Sequence, residues 1–133
     1  MEKRYKTRIY YRDTDMGGVV YYGRYLEFLE IGRTEYIRDA GMSVQDLYEK
    51  HGIISPVIEV NVRYLRPARY DDEITISVQP EKITNVKIFI KYELFNQKGD
   101  LLCVAHTVNG SIDRESFRPV RFPDEFLALW KQT

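Results

Sequence analysis

The hydrophobic pattern of the chain changes period once, and that change restricts the fold more than any other feature. Tyr25, Phe28, Leu29, Gly32 and Tyr36 recur at i, i+3, i+4, i+7 and i+11, which puts them on one face of a helix from about Tyr22 to Ala40. Arg24, Glu27, Arg38 and Asp39 fall largely on the other faces. Gly41 stands where a helix end favours a left-handed residue. From Ile58 onward the period is two. Ile58, Val60, Val62 and Tyr64 alternate with Glu59, Asn61 and Arg63. Ile74, Ile76 and Val78 alternate with Thr75, Ser77 and Gln79, and Ile88, Ile90, Tyr92 and Leu94 with Lys87, Phe89, Lys91, Glu93 and Phe95. The stretch NQKGD, Asn96 to Asp100, reads as a hairpin turn, and Leu101 to Asp113 as one long strand. Ahead of the long helix, Tyr5 to Tyr11 reads as a first strand. SVQD, Ser43 to Asp46, resembles a capping box and opens a short helix ending near Gly52. Pro123 precedes a short terminal helix, Asp124 to Lys131.

The predicted order is β-α-α-β-β-β-β-α, an α+β chain. An antiparallel sheet has an apolar face to cover, and the long helix is the only element large enough to cover it. The expected architecture is a curled antiparallel sheet wrapped around one long central helix. Phe89 and Phe95 fall on the opposite sheet face, which predicts that a second subunit covers it. The 133 residues contain no repeat, low-complexity segment or Pro/Gly/Ser linker. Residues 1–133 therefore read as a single domain, long enough to bury a sizeable core.

Composition removes several functions. Lys+Arg and Asp+Glu are 20 each, so the basic excess of a nucleic-acid binder is missing. Cys103 is the single cysteine, which excludes a disulfide within the chain and leaves no metal-ligand spacing. There is no GxSxG elbow and no P-loop. His51 and His106 are tied to no acid or nucleophile by pattern and read as structural. No stretch approaches the roughly 20 apolar residues that cross a bilayer. The segment MEKRYKTRIYYRD has no secretion-signal character, so a cytoplasmic location is expected. The eleven tyrosines are expected mostly half-buried on strands.

Chemistry concentrates in YYRDTDMGGVVYYGRYLEFLEIGR, Tyr10 to Arg33. Asp13 reads as a turn or helix-entry residue that accepts backbone N–H groups. Asp15 has a functional reading. A helix start offers unpaired N–H groups and the positive end of a dipole. A carbonyl oxygen held there would have its developing charge stabilised. A carboxylate beside that carbonyl could attack it or activate water, and Gly17 and Gly18 permit close backbone approach.

These residues resemble a known family. DTDMGGVVYYGRYLEFLEIGRTEYIRDAG, Asp13 to Gly41, is similar to the signature of the hotdog-fold acyl-CoA thioesterases of the 4-hydroxybenzoyl-CoA thioesterase / YbgC type. RPARYDDEI, Arg66 to Ile74, resembles that family's turn into the third strand. The resemblance implies a hotdog fold, subunits pairing so that two sheets join, assembly as a dimer of dimers, and an active site between subunits. It implies Asp15 as the catalytic acid and a helix-start N–H near Tyr22 that polarises the thioester carbonyl. The substrate-binding set implied is Gly18, Val20, Tyr22, Tyr25, Glu30, Lys82, Asn85 and Lys87, the last three from KITNVK, where relatives hold the phosphates of CoA. Glu30 and Arg33, three apart on the helix, are expected to form an ion pair.

The function expected is hydrolysis of acyl-CoA to free acid and coenzyme A, with Asp15 as nucleophile or general base, and no cofactor or metal. The rival expectations are a non-catalytic module binding acyl-CoA or acyl carrier protein, and a purely structural subunit. A hydratase would need an acid–His pair after the turn, and neither histidine is placed to supply one.

Overall fold

The period-two runs become the strands of one sheet. The structure, a computed structural model, describes residues 2–131, and the other three residues of the expected 1–133 span lie outside it. The strands are β1 (Lys3–Arg8), β3 (Val57–Tyr64), β4 (Glu73–Ile83), β5 (Lys87–Phe95) and β6 (Leu101–Gly110), ordered β1-β4-β5-β6-β3 and antiparallel throughout. The helices are α1 (Tyr25–Asp39), α2 (Val44–His51) and α3 (Asp124–Lys131). Two short strands, β2 (Ile53–Ile54) and β7 (Ile112–Asp113), pair with each other.

The face of α1 named by its spacing is the buried one: Tyr25, Phe28, Leu29, Gly32 and Tyr36 are all buried. Gly32 sets how closely α1 lies on the sheet. A Cβ there would stand 2.7 Å from Ile76 Cγ2 and 2.8 Å from Val78 Cγ2. The inward residues of β4 and β5, Ile74, Ile76, Val78, Ile88, Ile90, Tyr92 and Leu94, are sealed beneath the helices. Gly41 takes φ 92° after α1, and Ser43 Oγ caps α2 by accepting the Asp46 N–H at 3.0 Å.

Several expectations need correction. The first strand stops at Arg8 rather than Tyr11, because Tyr11–Asp13 turn into a 3-10 helix. The long strand from Leu101 to Asp113 is two strands. The Gly110 amide turns to the Pro56 carbonyl, 2.9 Å, and β7 then pairs with β2. The long helix is not alone in covering the sheet. α3 buries Phe126, Leu127, Leu129 and Trp130, and Trp130 stacks on Tyr36 of α1 at 4.5 Å between centroids. Only Tyr5, Tyr64 and Tyr92 of the eleven tyrosines lie on strands. Phe89 and Phe95 alternate out of phase with the core positions, half-buried, each with a cation of its own chain over the ring: Lys82 on Phe89 and Arg4 on Phe95.

Among the described residues β3 is a sheet edge, paired with β6 on one side only. Val57, Ile58 and Val60 on it are exposed.

Candidate active site

Asp15 sits on a small hairpin between β1 and α1. Thr14 pairs with Val20 across it. The Asp15 N–H donates to the Val19 carbonyl at 2.9 Å, and the Gly18 N–H to the Asp15 carbonyl at 3.1 Å. Gly18 closes the turn at φ 77°, a region that favours glycine. The Asp15 carboxylate accepts the Gly17 N–H at 2.8 Å and is otherwise open to solvent.

Asp13, two residues earlier, is buried and fully engaged. Its side chain accepts the Tyr10 N–H at 2.8 Å and Arg24 Nε at 2.7 Å, while its carbonyl accepts the Tyr21 N–H at 3.1 Å. Asp13 thus fastens both ends of the hairpin and the first turn of the helix with one residue. Tyr11 stacks face to face on Tyr70, 3.9 Å between centroids, and holds the outer side of the same segment.

The chain then enters α1 through a 3-10 turn, Tyr22–Arg24. The Arg24 N–H bonds the Tyr21 carbonyl at 2.9 Å. The amides of Tyr22 and Gly23 precede that bond, so they have no acceptor within the helix and stand at its positive end. A Cβ on Gly23 would meet the Tyr21 ring at 2.7 Å.

The segment after β3 clamps this entry from the other side. The Val20 N–H donates to the Ala68 carbonyl at 2.9 Å, and the Ala68 N–H to the Tyr25 hydroxyl at 3.0 Å. The Tyr64 hydroxyl donates to the Tyr22 carbonyl at 2.8 Å. Between these contacts lies an open cleft bordered by Val20, Tyr22, Tyr25, Tyr64, Leu65 and Arg66. The Tyr64 ring stands edge-on to both Tyr25 and Tyr22, at 4.9 and 6.4 Å. Burial holds the Tyr25 and Tyr64 hydroxyls above their ordinary pKa, so both are protonated at neutral pH.

Val20, Tyr22 and Tyr25 therefore border one cleft, and Gly18 lies at the tip of the adjoining hairpin. Tyr25 forms a wall, since its hydroxyl is committed to Ala68. Glu30 lies elsewhere. It is exposed on the side of α1 that faces Arg12, Asp13 and Arg24, outside the Tyr22 cleft. The expected Glu30–Arg33 ion pair does not form among the described residues, because Arg33 turns inward to the Tyr92 hydroxyl. Lys82, Asn85 and Lys87 occupy the opposite end of the sheet. The Asp15 hairpin is tied to the Glu73 end of β4 through Ile9 and Asp72. Lys82 lies near the far end of that 11-residue strand, roughly 30 Å away at the usual rise per residue. One chain does not bring these three residues to Asp15. Sequence reasoning did not single out Tyr64 or Ala68, which meet the helix start only after the chain has folded.

The site thus combines a solvent-exposed carboxylate on a tight turn, a helix start whose first amides have no acceptor within the helix, and an aromatic cleft beside that helix start. The chain belongs to the thioesterase-like superfamily, whose profile matches residues 10–129. It is 33% identical over 127 residues to the acyl-CoA thioesterase YbgC of Haemophilus influenzae, covering 95% of this chain and 92% of that one. A solved structure of the DHNA-CoA thioesterase from Staphylococcus aureus is 35% identical, with a TM-score of 0.86 over 90% of this chain and 80% of that chain. A 4-hydroxybenzoyl-CoA thioesterase mutant complexed with 4-hydroxybenzoyl-CoA, 21% identical, shares the fold with a TM-score of 0.87 over 98% of this chain and 99% of that one. The fold is the hotdog fold, and the enzyme class is thioester hydrolase.

Proposed function

We propose that this chain hydrolyses acyl-CoA to a free acid and coenzyme A, with Asp15 as the reacting carboxylate. The observation that carries the reading is the continuity of the Asp15 hairpin with the Tyr22 and Gly23 amides, which have no acceptor among the described residues, both held by Ala68 and its neighbours. The thioester oxygen accepts those amides, and the carbonyl carbon becomes the electrophile. Asp15 either takes a proton from the attacking water or attacks the carbon itself. The C–S bond then breaks and the CoA sulfur leaves as thiolate, which is protonated; the water route gives the free acid directly, while direct attack leaves an acyl–Asp15 anhydride that a water must hydrolyse to release the acid and restore the carboxylate. Heavy-oxygen water in a single turnover separates the two routes: label in Asp15 marks the covalent one.

The free edge of β3 supports a homodimer. Exposed Val57, Ile58 and Val60 on an unpaired strand favour pairing with a second copy. A two-fold axis perpendicular to that edge, through the middle of β3, reverses the strand direction. The far end of the partner's sheet, with its Lys82–Lys87 hairpin, then lies on the Asp15 side of the first chain. That is the reading under which Lys82, Asn85 and Lys87 contact CoA phosphates as cations and donors from across the interface. A dimer of such dimers is the full assembly proposed.

The deciding measurement is thiol release across a panel of aryl-, short- and medium-chain acyl-CoA thioesters. Turnover on at least one class is expected. Binding without release throughout the panel would make the chain a binding module instead.

A further inference from the structure

The first turn of α1 must hold its amides still for the proposed reaction to benefit from them. Ala68 grips the residues on either side, Val20 and Tyr25. Asp13 grips Tyr21 and Arg24. The peptide between Tyr22 and Gly23 is touched by neither. Its carbonyl is the one that accepts the Tyr64 hydroxyl, at 2.8 Å, from a residue 42 positions away on the sheet edge.

We propose that Tyr64 is a positioning residue for thioester cleavage: its hydroxyl fixes the Tyr22–Gly23 peptide plane and so aims the Gly23 amide into the cleft. The peptide is planar, so a bond that fixes its oxygen also fixes the direction of its N–H. Within the 3-10 turn the same carbonyl accepts the Tyr25 N–H; Gly23 has no side chain to restrict its backbone, and the Tyr64 hydroxyl adds a second anchor from outside the helix. Accepting a hydrogen bond at the oxygen also polarises the peptide and strengthens the N–H as a donor. Preorganisation of this kind acts on the developing oxyanion more than on the ground-state carbonyl. The ring itself is held independently, edge-on against Tyr22 and Tyr25, so its hydroxyl and its packing are separable by substitution.

This inference rests on the acyl-CoA hydrolase reading. Its test is Tyr64→Phe, which keeps the ring and removes the hydroxyl, assayed on a thioester that the wild type hydrolyses. The expected result is a loss in kcat of about tenfold, the worth of one such hydrogen bond, with KM changed by less than about twofold. Affinity for a trifluoromethyl-ketone analogue of the acyl-CoA, which mimics the oxyanion, falls in parallel. Affinity for a non-cleavable thioether analogue stays the same. Unchanged kcat and ketone affinity in the variant overturn the inference while leaving the hydrolase reading intact. So does a loss of fold or assembly in Tyr64→Phe, which would make the hydroxyl a structural element. A wild type inactive on every thioester overturns both.

Discussion

The Asp13 carboxylate and the Arg24 guanidinium meet at 2.7 Å with the acid almost wholly buried, and this bond joins the hairpin carrying Asp15 to the start of α1. Arg24 is also bridged to Glu27 at 2.7 Å, so the pair is the centre of a short ionic chain along the first helical turn. Substituting Asp13→Ala strands the Tyr10 amide and leaves Arg24 with Glu27 alone. With Arg24 partly reached by water, the expected destabilisation is about 2 kcal/mol, read as a shift in the urea midpoint. Activity is expected to fall further than stability alone explains, since the hairpin loses its register.

Asp15 behaves in the opposite way. Its carboxylate is exposed and makes one bond, to the Gly17 amide, that an asparagine oxygen also accepts. Asp15→Asn should therefore leave the melting temperature within about 2 °C of wild type, since surface changes away from packing contacts cost little. Turnover should drop by at least about 100-fold, the usual loss on removing a reacting acid or base. Full retention of activity would falsify the role given to Asp15.

The β3 edge provides a test of assembly. Val60 is half exposed and lies mid-strand. A Val60→Lys substitution places a charge where a second copy is expected to pair, a device by which sheet edges resist association. Light scattering should report a monomer with a native circular-dichroism spectrum and little thiol release. An oligomer of unchanged mass and activity would move the interface elsewhere.

Gly32 tests the seating of the helix on the sheet. Alanine raises helix propensity by up to about 1 kcal/mol. At this site its Cβ would collide with the Ile76 and Val78 methyl groups, and overpacking of that kind costs about 1–3 kcal/mol. The net expectation for Gly32→Ala is destabilisation, and for Gly32→Val a larger one. A stabilised Gly32→Ala variant in denaturant titration would show that α1 stands further off the sheet.

Stability should decline on the alkaline side. Burial pushes the Cys103 thiol up to about 12 from an ordinary 9.0, and burial also raises Tyr25, Tyr36 and Tyr92 above 10.0. For each, the folded value lies above the unfolded one. Their contribution is complete below the unfolded pKa and is lost as pH climbs through the interval between the two. The urea midpoint should hold steady up to about pH 9 and fall beyond it. At neutral pH, Cys103 should react with a thiol reagent only at the rate of unfolding, because the buried thiol is not ionised.

The linear chain determined its own elements where the cause is local. The face of α1, the Ser43 cap, the left-handed Gly41 and the alternation of β4 and β5 follow from nearest-neighbour geometry, and all are present. The doublet of acids before a glycine turn was likewise readable, as was the free-amide character of the Tyr22 end. Tertiary structure decided which partner each group met. Arg33 had Glu30 within helical reach, yet it faces Tyr92 because α1 lies with that side against the sheet. β6 ends at Gly110 because a carbonyl 54 residues earlier, that of Pro56, takes its amide. Tyr64 and Ala68 arrive at the helix start from a distant segment, and spacing along the chain carries no record of such a meeting. Local periodicity encodes which surface is apolar; only packing of the whole sheet against α1 and α3 selects what that surface touches.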